Sequence, residues 1–382
     1  MLFILFTQPP EDCQEFFPTP VGSVFSRDGL AGKKDKGGFK KTAEGARMRQ
    51  DHDKAYPMQA AAYTYLTDAD WTQRINELKR IAGGCELCPR RCRVNRFEGE
   101  RGFCAAPGEL VVSSIFPHHG EEPPLSGTGG SGTVFFTHCT LKCVFCQNYQ
   151  ISHEQEGRPF TEAELAQKML HLQDLGCHNI NLVTPTHFLP WILRSLKIAA
   201  AAGLRLPIVY NCGGYELVET IDLLTDVVDI WLPDMKYGDN VPAQHYSAAP
   251  DYVEVNQAAI RRMFRQVGPL RCDAEGIAER GLCIRHLVLP NDQSASRAVL
   301  DFLTNTFDPQ DIFISLMAQY RPLYRAERHA SIGRRVSPEE FEAVKREFIE
   351  AGLEGFYQEP EKIDTTFVID FTRRKEEPLT GK

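Results

Sequence analysis

From about residue 130 the chain alternates short, unbroken apolar runs with longer stretches in which apolar residues recur every three or four positions. The runs "TVFFTH" (133–138), "NINLVT" (179–184), "PIVYN" (207–211), "DVVDIWL" (226–232), "CIRHLVL" (283–289) and "IFISLM" (312–317) have the length and composition of buried strands. Helices are expected between them. One starts at the capping box Thr161–Glu164, carries Leu165, Met169 and Leu172 on one face and stops at Gly176. Others are expected at 188–202, near 216–224, near 250–266 and at 293–306. A last helix opens at Ser337–Pro338, with Glu340 third, and ends at Gly352. Upstream, Asp68 is placed to cap a helix over 68–82, with Trp71, Ile75, Leu78 and Ile81 as its apolar stripe.

Six strands alternating with helices predict βαβ units and a parallel sheet of the α/β class. An open doubly wound sheet and a partial barrel both satisfy this spacing. In either, ligands collect at the C-terminal ends of the strands. Four segments share that rim: the loop after the first strand, Thr184–His187 after the second, Asn211–Gly214 after the third and Asp234–Lys236 after the fourth.

Composition narrows the function classes. The 382 residues are 42% hydrophobic and 25% charged, ordinary for a globular protein. A net charge of −8 argues against binding nucleic acid through bulk electrostatics. No apolar run approaches the ~18 residues that span a bilayer, and "MLFILF" at the start lacks the basic flank of a signal peptide. Residues 1–60 mix Pro, Gly and Lys without period and read as a disordered leader, or as residues ahead of a start at Met48 or Met58. The expected division is a leader (1–60), a helix with a Cys-rich module (61–125), a six-unit βα domain (126–358) and a tail (359–382).

Seven of the twelve cysteines fall in two tight groups, while Cys13, Cys177, Cys212, Cys272 and Cys283 are scattered. Short fixed gaps suit metal ligation rather than disulfides, which points to a reducing, cytoplasmic setting. In "THCTLKCVFCQNYQIS" (137–152), Cys139, Cys143 and Cys146 are spaced C-x3-C-x2-C. Such a loop can ligate three irons of a four-iron cube and leave the fourth open. A zinc knuckle would need a fourth ligand, and His138, directly beside Cys139, is badly placed to converge. Cys85, Cys88, Cys92 and Cys104 give C-x2-C-x3-C-x11-C, with Gly99 and Gly102 for the return turn. Four thiolates suit a closed site, and zinc fits, as does an auxiliary iron–sulfur cluster. Arg90, Arg91 and Arg93 would favour the thiolate forms.

C-x3-C-x-aromatic-C after the first strand of a six-unit βα array resembles the signature of the radical S-adenosylmethionine (SAM) superfamily. The wider stretch "HHGEEPPLSGTGGSGTVFFTHCTLKCVFCQNYQIS" (118–152), with "NLVTPTHFLP", "LPDMKYGD" and "IRHLVLPN", is similar to the group related to pyruvate formate-lyase activating enzyme. The resemblance covers roughly residues 80–360. It implies a partial (β/α)6 barrel, a [4Fe-4S] cluster on the three cysteines and an oxidoreductase that reductively cleaves SAM to a 5′-deoxyadenosyl radical. It further implies a low-potential donor of flavodoxin or ferredoxin type and, as one candidate partner, a glycyl radical enzyme. No nucleic-acid or membrane partner is implied.

Site residues follow from the same resemblance. Phe145 takes the aromatic position that packs near the adenine of SAM. The Gly-Gly-Glu-Pro type motif that holds the methionine amine is replaced here by Thr184-Pro185-Thr186-His187. Without a glutamate, a threonine hydroxyl, a backbone carbonyl or His187 must serve, although His187 also reads as an ordinary helix-start residue. Asn211 in "YNCGGYE", and Asp234 with Lys236, are further pocket candidates, against the simpler readings of a tight turn and a structural ion pair. Arg285 and His286 interrupt a buried strand and must face opposite sides, so one is expected toward SAM and the other between strand and helix. Gln319 and Tyr320 follow the sixth strand. No catalytic acid or base is assigned. The alternatives are a radical SAM enzyme acting on a small metabolite or peptide, and a non-catalytic electron-transfer or binding protein. A carrier would want its cluster fully ligated by protein, so three cysteines favour catalysis.

Overall fold

The computed structural model describes residues 60–360 and 369–374. The leader apart from residue 60, Cys13, Met48, Met58 and most of the tail lie outside the described residues. Ten strands are present among those described: β1 Leu110–His118, β2 Ser131–Phe136, β3 Arg158–Phe160, β4 Ile180–Val183, β5 Ile208–Cys212, β6 Ile230–Pro233, β7 Arg271–Cys272, β8 Ala278–Leu287, β9 Phe313–Met317 and β10 Glu354–Tyr357. They form one sheet in the order β10-β9-β8-β6-β5-β4-β2-β1-β3, with β7 paired to β8.

The six expected strands are β2, β4, β5, β6, β8 and β9, parallel and adjacent in chain order. A doubly wound sheet reverses its strand order at a switch point. Here every crossover steps the same way, so the helices gather on one face and the sheet curls with the other face inward, as in a partial barrel. Side-chain alternation follows this division. Leu182, Tyr210, Trp231, Leu282, Ile284 and Leu316 join the large core under the helices. Val209, Leu232 and Cys283 have the opposite parity and line the lumen.

The helix Asp68–Ala82 forms over the expected span, but its cap is Thr67 rather than Asp68. The Thr67 hydroxyl accepts from the Asp70 amide while Asp70 Oδ2 accepts from the Thr67 amide, closing a capping box. Asp68 pairs with Lys197 instead. The Thr161–Glu164 and Ser337–Glu340 boxes form as expected. The antiparallel edge pair β1 and β3, the closing strand β10 and the helix Asn240–Ser247 were not legible in the pattern. "LVVSSIFPH" and "NVPAQHYS" mix apolar residues with Ser and Pro, and neither keeps a period.

Residues 119–130 fold under the N-terminal ends of the strands and plug the lumen. Leu125 packs among Val209, Ile230, Leu232, Ala278 and Cys283. Asn179 Nδ2 donates to the Leu125 carbonyl at 2.8 Å, and Ser131 Oγ donates to Asn179 Oδ1 at 2.7 Å. Gly127 ends the plug's short helix Pro123–Ser126 at φ +45°, where a Cβ would strike Ile277 and His178.

Candidate active site

The three-cysteine loop leaves β2 and is held from several sides. His138 N–H donates to the Ile151 carbonyl at 2.8 Å. Lys142 and Val144 amides donate to Ser247 and Tyr246, and the Arg325 amide donates to Val144. The loop is thus anchored to the helix Asn240–Ser247 and to the segment after β9. All eleven cysteines among the described residues are free thiols. Cys143 and Cys146 are buried and Cys139 is partly so. Ser247 Oγ donates to Cys143 Sγ at 2.9 Å, Ser152 Oγ lies 3.1 Å from Cys146 Sγ, and the Leu141 amide points to Cys139 Sγ. Burial, reinforced by the nearby Cys143 thiol, pushes Cys139 up to about 11.

Among the described residues, no three His, Cys, Asp or Glu side chains close on one point as a single metal ion requires. A four-iron cube makes a different demand. It spreads its thiolates over separate corners, and three neighbouring thiols on one rigid loop, with hydroxyl and amide donors at their sulfurs, fit that demand. Beside them the Phe145 ring meets Tyr320 at 5.6 Å and Tyr237 at 6.5 Å, both edge-on. These buried rings form an apolar wall next to the cysteines.

Below the rim lies a buried polar layer. Arg285 Nε donates to Asp234 Oδ1 at 2.8 Å and Nη2 to Asn211 Oδ1 at 2.6 Å. Lys236 Nζ reaches Asp234 Oδ2 at 2.5 Å. Burial would raise the Asp234 carboxyl, but Arg285 and Lys236 together outweigh it and hold the group at about 2. His286 points the other way. Its ring bonds the Met235 carbonyl and Ser296 Oγ and stacks on Phe348 at an interplanar angle of 7°. The expectation that these neighbours part company is met, with Arg285 facing inward.

The segment after β4 differs from expectation. Thr184 takes φ +57°, and its amide donates to the Asn211 carbonyl at 2.8 Å. Thr186, expected toward a ligand, instead donates its hydroxyl to Glu216 Oε1 at 2.8 Å, and Tyr210 O–H supports both. Tyr210 belongs to the face under the helices, so Thr186 is committed to that side. Burial, partly offset by these donors, raises Glu216 to about 8. His187 Nε2 sits 2.7 Å from the Thr137 carbonyl, and burial drives its pKa well down. The sequence offered no glutamate after β4, and the structure brings Glu216 to that segment from beyond β5.

The four-cysteine module docks beside this segment. Cys85 and Arg93–Val94 pair as a short hairpin, Phe103 N–H donates to Cys92 Sγ at 3.2 Å, and Gly99 makes the return turn at φ +85°. A Cβ on Gly102 would lie 2.7 Å from Cys92 Sγ. The arginines expected to favour the thiolates have other partners. Arg91 and Arg93 pair with Glu86, while Arg90 donates to the Thr140 and Ala248 carbonyls and stacks on Phe103 at 3.8 Å. Arg96 is the cation facing these thiols. It also donates to the His187 and Pro107 carbonyls and lies over Phe188 and Trp191. Nothing in the sequence pattern marks Arg96, Glu121, Glu122 or Glu216 as a site residue. Each lies in a stretch without period, so only its position after folding marks it.

The radical SAM superfamily profile matches residues 133–261. The "Uncharacterized protein MJ0674" of Methanocaldococcus jannaschii is 34% identical over 279 residues, covering 70% of this chain and 75% of that protein. Among solved structures, a radical SAM methyltransferase from Sphaerobacter thermophilus aligns with TM-score 0.40 at 15% identity, over 59% of this chain and 65% of its own. Methylornithine synthase aligns with TM-score 0.40 at 14% identity, over 77% of each chain. HydG, a maturase of the [FeFe]-hydrogenase, aligns with TM-score 0.41 at 14% identity, over 83% of this chain and 68% of its own. By the profile and by its likeness to the Methanocaldococcus protein, this chain belongs to the radical SAM superfamily, and with it to the enzymes that work with a [4Fe-4S] cluster and SAM.

Proposed function

We propose that Cys139, Cys143 and Cys146 hold a [4Fe-4S] cluster through three irons, and that SAM binds the fourth iron and the rim beside it. The observation that carries this reading is the loop itself: three free, neighbouring thiols spaced C-x3-C-x2-C where the chain leaves β2. When bound and given one electron by an external low-potential donor, the cluster and SAM would supply the chemistry for abstracting a hydrogen atom from a substrate. The chain's own residues do the rest. Phe145, with Tyr237 and Tyr320 behind it, offers the adenine an apolar wall. Thr184 and Asn211 present backbone and amide groups at the ends of β4 and β5. Arg285, held by Asp234 and Asn211, keeps a fixed positive charge facing the lumen for a carboxylate.

Anaerobic reconstitution with iron and sulfide, followed by dithionite and SAM, tests this reading. Formation of 5′-deoxyadenosine and a SAM-induced change in the reduced cluster's EPR signal support it; their absence in fully loaded protein defeats it. The finer reading, activation of a glycyl radical enzyme, rests on the similarity of "LPDMKYGD" and its companion motifs. Incubating the loaded enzyme with a glycyl radical enzyme from the same genome, and looking for a glycyl radical EPR signal, decides it. Four-thiolate ligation by Cys85, Cys88, Cys92 and Cys104, to zinc or to an auxiliary cluster, rests on their spacing and on Arg96 beside them; the thiols do not close on one point in this structure. Metal analysis of the purified chain separates zinc from iron.

A further inference from the structure

The plug carries two glutamates into the lumen that neither the fold nor the cluster reading uses. Glu121 and Glu122 are 0% and 1% exposed. Glu121 is partly matched, with Asn211 Nδ2 at 3.4 Å from Oε1 and Arg285 Nη1 at 3.6 Å from Oε2. Neither carboxyl oxygen of Glu122 has a hydrogen-bond partner. Two further side chains of the same inward-facing parity are unmatched. Asn181 on β4 stands beside Glu121 and Ser315 on β9 beside Glu122, each near enough to lower its carboxyl as a donor but neither in good hydrogen-bond geometry. Both are 0% exposed. A buried polar group without a partner costs free energy, a charged one far more. The acceptors left without a donor of good geometry are the two carboxyl oxygens of Glu122 and one of Glu121.

The charges say what that is. Across this cluster Arg285 and Lys236 contribute two positive charges, while Asp234, Glu121 and Glu122 contribute three carboxyls. Arg285 and Lys236 are shared among Asp234, Glu122 and Glu121, which leaves one carboxyl of the adjacent pair in excess. One positive charge balances the set. We propose that Glu121 and Glu122, with Asn181 and Ser315, form the floor of the substrate pocket and take a cationic nitrogen group of the substrate, a primary ammonium or a guanidinium. Such a group brings several N–H donors to unpaired acceptor oxygens, whereas an anionic or apolar substrate would leave them unpaired. The raised pKa of both carboxyls, due first to burial, fits the same picture: without a cation, a proton balances the charge.

This rests on the lumen being where the radical meets its substrate, but it can be tested apart from radical chemistry. Full-length cluster-loaded protein, without reductant, is titrated with n-butylammonium and with methylguanidinium, followed by calorimetry. Neutral n-butanol, KCl and MgCl2 serve as controls. The expected result is saturable binding of an organic cation, accompanied by proton release, and about a hundredfold weaker in Glu122→Gln. Glu121→Gln is expected to weaken it too. Near-ultraviolet circular dichroism checks that both variants fold. Equal binding by wild type and Glu122→Gln, binding of butanol as tight as that of butylammonium, a response to the inorganic cations only, or no binding at all overturns the proposal. Because SAM cleavage is not measured here, a failure leaves the 5′-deoxyadenosine assay to judge the radical SAM reading separately.

Discussion

Arg285 and Asp234, on neighbouring strands, bond through Nε and Oδ1 at 2.8 Å with neither side chain more than 2% exposed. Lys236 holds the other carboxylate oxygen and Asn211 the other end of the guanidinium, so the pair forms the centre of the polar layer in the lumen. Removing one member of a buried pair leaves the other charge uncompensated. Arg285→Met should therefore cost about 3–5 kcal/mol in urea denaturation, and SAM affinity should fall with it. His286→Gln, one residue on but facing the helices, should lose about 1–2 kcal/mol and leave SAM affinity as it was. Equal effects of the two on SAM binding would sink the assignment of Arg285 to the lumen.

The cysteines divide by position. Cys143→Ala should abolish the four-iron signal and 5′-deoxyadenosine formation after reconstitution. Cys272→Ala, on the short strand β7 that pairs only with β8, should keep wild-type iron content and SAM cleavage. Iron and sulfide analysis beside EPR makes the comparison. Full activity in the Cys143 variant would remove the ligand assignment.

Stability should fall as pH rises from 6.5 to 8. Glu216 moves from its ordinary 4.5 up to about 8 in the fold, chiefly by burial, and Glu121 is likewise held at about 8. In that window the folded chain keeps protons that the unfolded chain has released, so unfolding becomes easier with each step upward. The loss amounts to about 2 kcal/mol for Glu216 over this range, and Glu121 acts in the same direction. Three histidines act elsewhere. His138, His153 and His286 are lowered to about 4 by burial, so their contribution is lost only as pH falls below 6.5. Glu216→Gln should flatten the upper limb of the pH–stability curve. An unchanged slope would place the titration in other groups.

Arg96 ties the four-cysteine module to the segment after β4 through the His187 carbonyl. Arg96→Met keeps the bulk over Phe188 and Trp191 but removes the donors. Faster amide hydrogen exchange is expected at 184–188 and at 105–108, with little change in β8 and β9. Uniform loss of protection would mean that Arg96 supports the whole fold rather than this junction.

Much of the barrel was legible because its signals are local. A parallel strand buried on both faces reads as an apolar run, and a capping box reads as Ser or Thr three residues before Glu. The alternation of the two sets the class. The outer strands β1, β3 and β10, of which β3 and β10 are the edges, escaped because they are bracketed by Ser, Pro and charge, and pairing alone makes them strands. The three cysteines were legible as a group for the same local reason, since their close spacing lies within one loop.

The amino-acid sequence by itself determined the six βα units, the thiol loop at their rim and the parting of Arg285 from His286, because each depends on neighbours within a few residues. Only the tertiary structure decided what those groups meet. Chain-order pairing chose a curled sheet over a doubly wound one. Burial turned the adjacent Glu121 and Glu122, which in sequence read as an acidic turn before two prolines, into carboxyls facing Arg285, Asn181 and Ser315. It also carried Glu216 to Thr186, thirty residues away. Spacing along the chain carries no information about such encounters, which arise when strands distant in sequence close around one space.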